Sequence, residues 1–179
     1  FRDEDLRSDR QPEFTQVDVE LSFCNQEDVI AVAEKTIADA VEAAGVKVSL
    51  PFNRMTHHQA METYGSDKPD MRFELPMVDA IDIFKTTDLK VFAQIAAKPV
   101  QNRIKALCVP NGEKLTRKEI DYLTDYVSKF GAKGLAWIKV KEDGDLQGPI
   151  VKFLSDDEKA QIVKSTNANS GDLVFFGAG

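Results

Sequence analysis

Arginine, an aromatic ring, an amide and a carboxylate crowd the opening run Phe1-Arg2-Asp3-Glu4-Asp5-Leu6-Arg7-Ser8-Asp9-Arg10-Gln11-Pro12-Glu13-Phe14-Thr15-Gln16-Val17-Asp18-Val19-Glu20. An arginine presents two parallel N–H donors, which suit the oxygens of a phosphate or a carboxylate. The face of Phe14 can stack on a base, Asp18 can oppose an ammonium group, and Gln16 can bond beside it. Arg7 and Arg10, in a charged stretch, can reach a second, phosphate-rich substrate. Such a set could hold a nucleotide, an amino acid and a nucleic acid together. Taken singly, the same residues have plainer readings. Arg2 and Asp18 would make a cross-strand ion pair on a solvated sheet face, Phe14 would join a core, and Arg7 and Arg10 would be ordinary loop charges.

The elements that must position these groups follow from periodicity. Val17, Val19, Leu21 and Phe23 alternate with Asp18, Glu20 and Ser22, the period-two pattern of a half-buried strand. Carried backwards, that phase puts Phe14 and Gln16 on the polar face with Asp18. Residues 5–12 are charged, hold one Pro and a single apolar Leu6, and read as an exposed loop. Phe1–Glu4 would then end a partner strand, and the strand–loop–strand unit would gather Arg2, Glu4, Phe14, Gln16 and Asp18 on one surface.

Beyond it, Asn25 is a candidate N-cap for a helix carrying Val29, Ala33, Ile37, Val41 and Ala44, stopped by Gly45. Thr56 and Gln59 suggest a capping box for a short helix over about His57 to Tyr64, closed by Gly65. Gly65-Ser66-Asp67-Lys68-Pro69-Asp70 is turn chemistry, and a domain boundary is expected just after it. The remainder suggests strands at Ala80–Phe84, Lys90–Ile95, Ile104–Val109 and Leu135–Lys141. Thr116 with Glu119 and Ser155 with Glu158 predict two more capped helices. The first of them carries Ile120, Leu123, Val127 and Phe130 and ends at Gly131. Asp172–Phe176 reads as a last strand, and Trp137, Phe175 and Phe176 as core. The fold class is therefore α+β.

Composition narrows the partners. The 179 residues carry a formal net charge of −7, which argues against a protein that grips nucleic acid with its whole surface but leaves room for a local basic loop. Cys24 and Cys108 lie far apart in sequence, consistent with free thiols in a reducing compartment. No apolar run approaches the roughly 18 residues of a membrane span. His57 and His58 are neighbours, so on a helix they point about 100° apart, and no metal site is expected there.

The opening run resembles motif 2 of the class II aminoacyl-tRNA synthetases, and among them the aspartyl enzymes, over Phe1–Phe23. Tyr64-Gly65-Ser66-Asp67-Lys68-Pro69-Asp70 resembles the bacterial type of that enzyme. From about Arg72 to Gly179 the chain resembles its insertion (GAD) domain, which is shared with an amidotransferase subunit. The most recognisable parts are Lys133-Gly134-Leu135-Ala136-Trp137-Ile138-Lys139-Val140 and Gly171-Asp172-Leu173-Val174-Phe175-Phe176-Gly177-Ala178. The resemblance implies residues 1–72 as part of a class II catalytic core, a fragment of its antiparallel sheet. It implies residues 73–179 as the α+β insertion domain, short of its C-terminal end.

The same resemblance implies a set of roles. Arg2 is the catalytic residue, holding the α-phosphate of ATP and touching the aspartate carboxylate. Arg2, Asp3, Glu4, Gln11 and Phe14 line the ATP site. Arg2, Gln16 and Asp18 bind aspartate, and Glu4, Arg7 and Arg10 meet the tRNA acceptor end. The implied reaction is ATP-dependent formation of aspartyl-adenylate and transfer to the 3′ end of tRNA(Asp), with tRNA(Asn) as a further candidate, in a cytoplasmic homodimer. Magnesium would be held by residues elsewhere in the parent enzyme, with no metal site among these residues. Motifs 1 and 3 and an anticodon-binding barrel are not found, so this segment alone is expected to be inactive. Two other functions compete: a stand-alone insertion module that binds tRNA or protein without chemistry, and an asparagine-type class II relative. The motif 2 run weighs against the first, and the insertion domain against the second.

Overall fold

Asn25, Thr56, Thr116 and Ser155 each cap a helix, and each shares a reciprocal capping box with the residue three positions on. In each box a side-chain oxygen takes a backbone N–H that would otherwise be orphaned at the helix start. They open α1 (Gln26–Ala43), α2 (His57–Tyr64), α4 (Arg117–Ser128) and α5 (Asp156–Thr166). Gly45 and Gly65, at φ +88° and +68°, end the first two in the left-handed region that glycine occupies without strain. The computed structural model describes residues 2, 3, 5, 8 and 10–179. They divide into two units, Phe1–Arg54 and Met55–Gly179.

In the first unit α1 is the one regular element among the described residues. Val17, Val19 and Leu21 line an apolar groove of about 260 Å³ with Val29, Val32, Ala33 and Ile37 of α1. The period-two alternation is thus real, but the expected strand is not formed. Residues 14–21 take part in no ladder, and the valines at 17 and 19 remain 80% and 55% exposed. A strand is defined by its partner, and the described residues of this unit supply none. The other half of the expected pair, Phe1–Glu4, has both ends outside the described residues. Arg54 straps the end of the unit to α1 through Glu27, with Glu34 3.8 Å away.

The second unit is built on five antiparallel strands in the order β1-β2-β5-β3-β4. They are β1 (Met77–Asp79), β2 (Ile104–Val109), β3 (Ala136–Val140), β4 (Leu146–Gln147) and β5 (Leu173–Ala178). The predicted strands at 104–109, 135–141 and 172–176 correspond to β2, β3 and β5. Alternation along β5 sends Val174 and Phe176 to one face and Leu173 and Phe175 to the other. The first face joins Ile104, Ala106, Ile138 and Val140 in the main core, covered by α3 (Lys90–Ala96) and α5. Phe84 and Phe92 meet there edge to face, centroids 4.8 Å apart, and Phe84 meets Phe176 the same way at 5.7 Å. The second face packs Leu173 and Phe175 against Ile120 of α4, with Trp137 partly buried beside them.

Two predicted strands are helical. Residues 81–84 form a 3-10 turn, opened by the Asp79 carboxylate accepting from the Ile81 N–H at 3.0 Å. Ile81 and Phe84, three apart, are the buried pair, which is the 3-10 repeat and not the strand repeat. Residues 90–96 form α3, whose buried Phe92 and Ala96 stand four apart. Phe130, expected on the core side of α4, is 75% exposed beyond its end. The β3–β4 hairpin, turning at Gly144 (φ +86°), went unpredicted. At Gly148, which follows β4, a Cβ would sit 2.3 Å from the Trp137 carbonyl oxygen, so only glycine allows that approach.

The second unit takes in α2, which precedes the boundary expected after Asp70. Helix α2 goes with the sheet because Lys105 of β2 donates to Glu62 at 2.6 Å, and Asp79 lies 3.5 Å from the same ammonium.

Candidate functional site

Two of the residues singled out for chemistry meet. The Arg2 guanidinium lies over the Phe14 ring, 5.4 Å from its centroid, and the Arg2 N–H donates to the Pro12 carbonyl at 3.0 Å. A cation over an aromatic face is attracted by the ring quadrupole, so the contact keeps a positive group and a stacking surface side by side. Phe14 is 42% exposed, leaving ring area for a ligand. Gln16 and Asp18 follow on the extended segment and are exposed. Among the described residues no hydrogen bond or ion pair joins either of them to Arg2. Asp3, Arg10 and Gln11 are also exposed. Glu4 and Arg7, expected at the ATP site and the tRNA acceptor end, lie outside the described residues. The geometry therefore brings Arg2 and Phe14 together, while Gln16 and Asp18 stand on the neighbouring stretch of chain.

The turn at Gly65–Asp70 is held by its own polar groups. The Ser66 hydroxyl accepts from the Lys68 N–H at 3.1 Å, and Lys68 pairs with Asp67 at 3.1 Å. Asp70 takes bonds from the Arg72 backbone and side chain, which hold its carboxyl at about 2. Asp67 and Lys68 thus read as turn chemistry. His57 and His58 open α2 and gather no other ligand, and no group of three or more His, Cys, Asp or Glu is poised for a metal among the described residues.

The second unit holds a buried carboxylate that sequence reasoning passed over. Asp172 accepts from the N–H groups of Asn111 at 2.9 Å and Asn169 at 2.8 Å, with the Cys108 thiol 3.7 Å away. It ties the end of β2 to the start of β5. Burial, and then the Asp172 charge, push the Cys108 thiol up to about 11. Both cysteines are free. Also missed was a row of exposed rings along α4, Tyr122, Tyr126 and Phe130. The i, i+4, i+8 spacing was the available signal, absorbed by the expectation that Phe130 is core.

Residues 92–179, which include β2 to β5 and the two faces of the sheet, match the GAD domain family. That match lies within the second unit. Similarity to curated proteins runs through the whole chain. The aspartate–tRNA(Asp/Asn) ligase of Sulfurovum sp. (strain NBC37-1) is 57% identical over 180 residues, and that of Campylobacter concisus (strain 13826) is 50% identical over the same span. The aspartate–tRNA(Asp/Asn) ligase of Helicobacter pylori (strain P12) is 51% identical. Each alignment covers 100% of this chain and 31% of the relative, so the chain spans about a third of the length of these proteins.

Proposed function

We propose that this chain is the part of an aspartate–tRNA ligase that carries motif 2 and the inserted domain. In that reading residues 1–72 belong to a class II catalytic core and residues 73–179 to the insertion. The observation that carries it is the motif 2 run lying within a likeness of 57% identity that covers all of this chain, to a ligase of this name. The stacking of Arg2 on Phe14 supports the same reading from geometry.

In the whole protein the aspartate carboxylate attacks the α-phosphorus of ATP, and pyrophosphate leaves. Arg2 holds the α-phosphate and steadies the charge that gathers there. Phe14 takes the adenine face, with Asp3, Glu4 and Gln11 around the nucleotide. Asp18 opposes the substrate ammonium and Gln16 bonds beside it. The terminal ribose hydroxyl of the tRNA then attacks the aspartyl carbonyl and AMP leaves, while Glu4, Arg7 and Arg10 meet the acceptor end. Magnesium falls to residues other than these. The relatives' names carry both tRNA(Asp) and tRNA(Asn), and we take both as substrates of a cytoplasmic homodimer.

The test is ATP–pyrophosphate exchange by the complete protein with aspartate and with asparagine. Exchange driven by aspartate and abolished in Arg2→Ala is the expected result. Exchange driven by asparagine, or near-normal exchange in the variant, would overturn the assignment.

A further inference from the structure

Three aromatic rings along the outer side of α4 and the turn that follows it are covered by no described residue. Tyr122, Tyr126 and Phe130 are 66%, 47% and 75% exposed. They stand at i, i+4 and i+8, with Tyr122 and Tyr126 6.5 Å apart at 28° and Tyr126 and Phe130 5.2 Å apart at 57°. They are not needed to dock the helix, since its other side already buries Ile120 against Leu173 and Phe175.

Charge along the same row points to the occupant. Arg117 and Asp121 neutralise each other at 2.9 Å. Lys118, Lys129 and Lys133 are exposed and enter no ion pair among the described residues. Asp125 and the capping Glu119 are the carboxylates left on that side, against the three lysines. Residues 129–141 hold four lysines and no Asp or Glu, in a chain of net charge −7. Lys139 and Lys141 of that stretch turn to Leu115 and Glu113, so Lys129 and Lys133 remain for a partner.

We propose that this row is a stacking platform for an unpaired stretch of RNA, with bases against the rings and phosphates against Lys118, Lys129 and Lys133. Bases of any sequence present a π face, and cations beside aromatic rings are the usual means of holding a single strand. A protein partner would favour aromatic rings too, but the centres of protein interfaces are depleted in lysine. The inference rests on the reading above in one respect, that the RNA is the tRNA on which the whole protein acts.

The full chain can be titrated into a short fluorescein-labelled oligouridine and into a blunt RNA duplex of equal length, following anisotropy at low and raised salt. Tighter binding to the single strand is expected. Tyr122→Ala with Tyr126→Ala should weaken it by roughly tenfold or more, whereas Tyr126→Phe should not, because stacking needs the ring and not the hydroxyl. Lys129→Gln with Lys133→Gln should flatten the salt dependence, and Asp125→Asn should tighten binding. Unchanged circular dichroism and unfolding midpoints would establish that the variants fold. No binding at low salt, equal affinity for the duplex, or indifference to the alanine pair would overturn the proposal. So would loss of self-association in the alanine pair with RNA binding intact, which would make the row a protein contact. Exchange activity does not depend on this row, so a failed oligouridine titration leaves the proposed reaction standing. Failed exchange likewise leaves the RNA result standing.

Discussion

Arg2 makes its two described contacts by different parts: the backbone N–H holds Pro12 and the guanidinium rests on Phe14. Removing a preorganised donor to a phosphate at the transition state costs about 2.7–4 kcal/mol. Arg2→Ala in the complete protein is therefore expected to slow adenylate formation by roughly 10²–10³, read as pyrophosphate exchange. Asp18→Asn should act differently. It removes the charge opposing an ammonium, so calorimetry should show aspartate binding weakened by roughly ten- to a hundredfold with ATP little affected. Equal losses for both ligands would make Asp18 a structural residue. The cysteines offer a check on burial. At pH 8 the Cys108 thiol, pushed up to about 11, stays protonated, and alkylation needs the thiolate. Mass spectrometry should find iodoacetamide on the exposed Cys24 first, with Cys108 labelled only as pH rises or the domain unfolds. The contact of Arg2 with Phe14 was legible because the charged loop between them was expected to return the chain to its start. Asp172 was not, because a buried carboxylate that accepts from two loop N–H groups has no sequence signature apart from the loops it joins.

At the scale of elements, capping chemistry was the most readable feature and short apolar runs the least. Thr56, Thr116 and Ser155 marked helix starts correctly because the cap and its reciprocal acceptor lie within four residues of each other. Residues 81–84 and 90–96 were mistaken for strands because a few apolar residues fit several periods, and the choice between them is made by Phe176 and the rest of the core. The failed strand at 17–23 is the opposite case, a correct period without a partner. Thr116→Ala should cost about 1 kcal/mol in urea unfolding. Ser155→Ala should cost more, because the Glu158 carboxylate that its hydroxyl donates to is 6% exposed and its other oxygen already lacks a partner. The pairing of Lys105 with Glu62 sets the fate of α2. Lys105→Met should raise amide exchange over His57–Tyr64 and leave β5 protected; a uniform rise would mean that α2 and the sheet open together.

Over the whole molecule, order is distributed unevenly. Among the described residues before Met55 only Ala38 is buried, whereas the sheet unit encloses a core whose Phe84, Ile104, Ile138, Leu173, Val174 and Phe176 are each less than 2% exposed. Hydrogen exchange should therefore be slow in β2, β3 and β5 and faster throughout Gln26–Ala43. Stronger protection in α1 than in β5 would contradict this. The strand order adds a consequence for synthesis. β2 and β3 do not pair with each other; each reaches the other only through β5, the last of these five strands in sequence. A ribosome thus releases two separate pieces of sheet, β1 with β2 and β3 with β4, and must hold both apolar faces open until Leu173–Ala178 emerges to join them. Closure is then a single late event that depends on contacts far apart in the chain, the slow kind to form. Until that moment the apolar faces of both pieces stay open to solvent, the condition under which nascent chains aggregate.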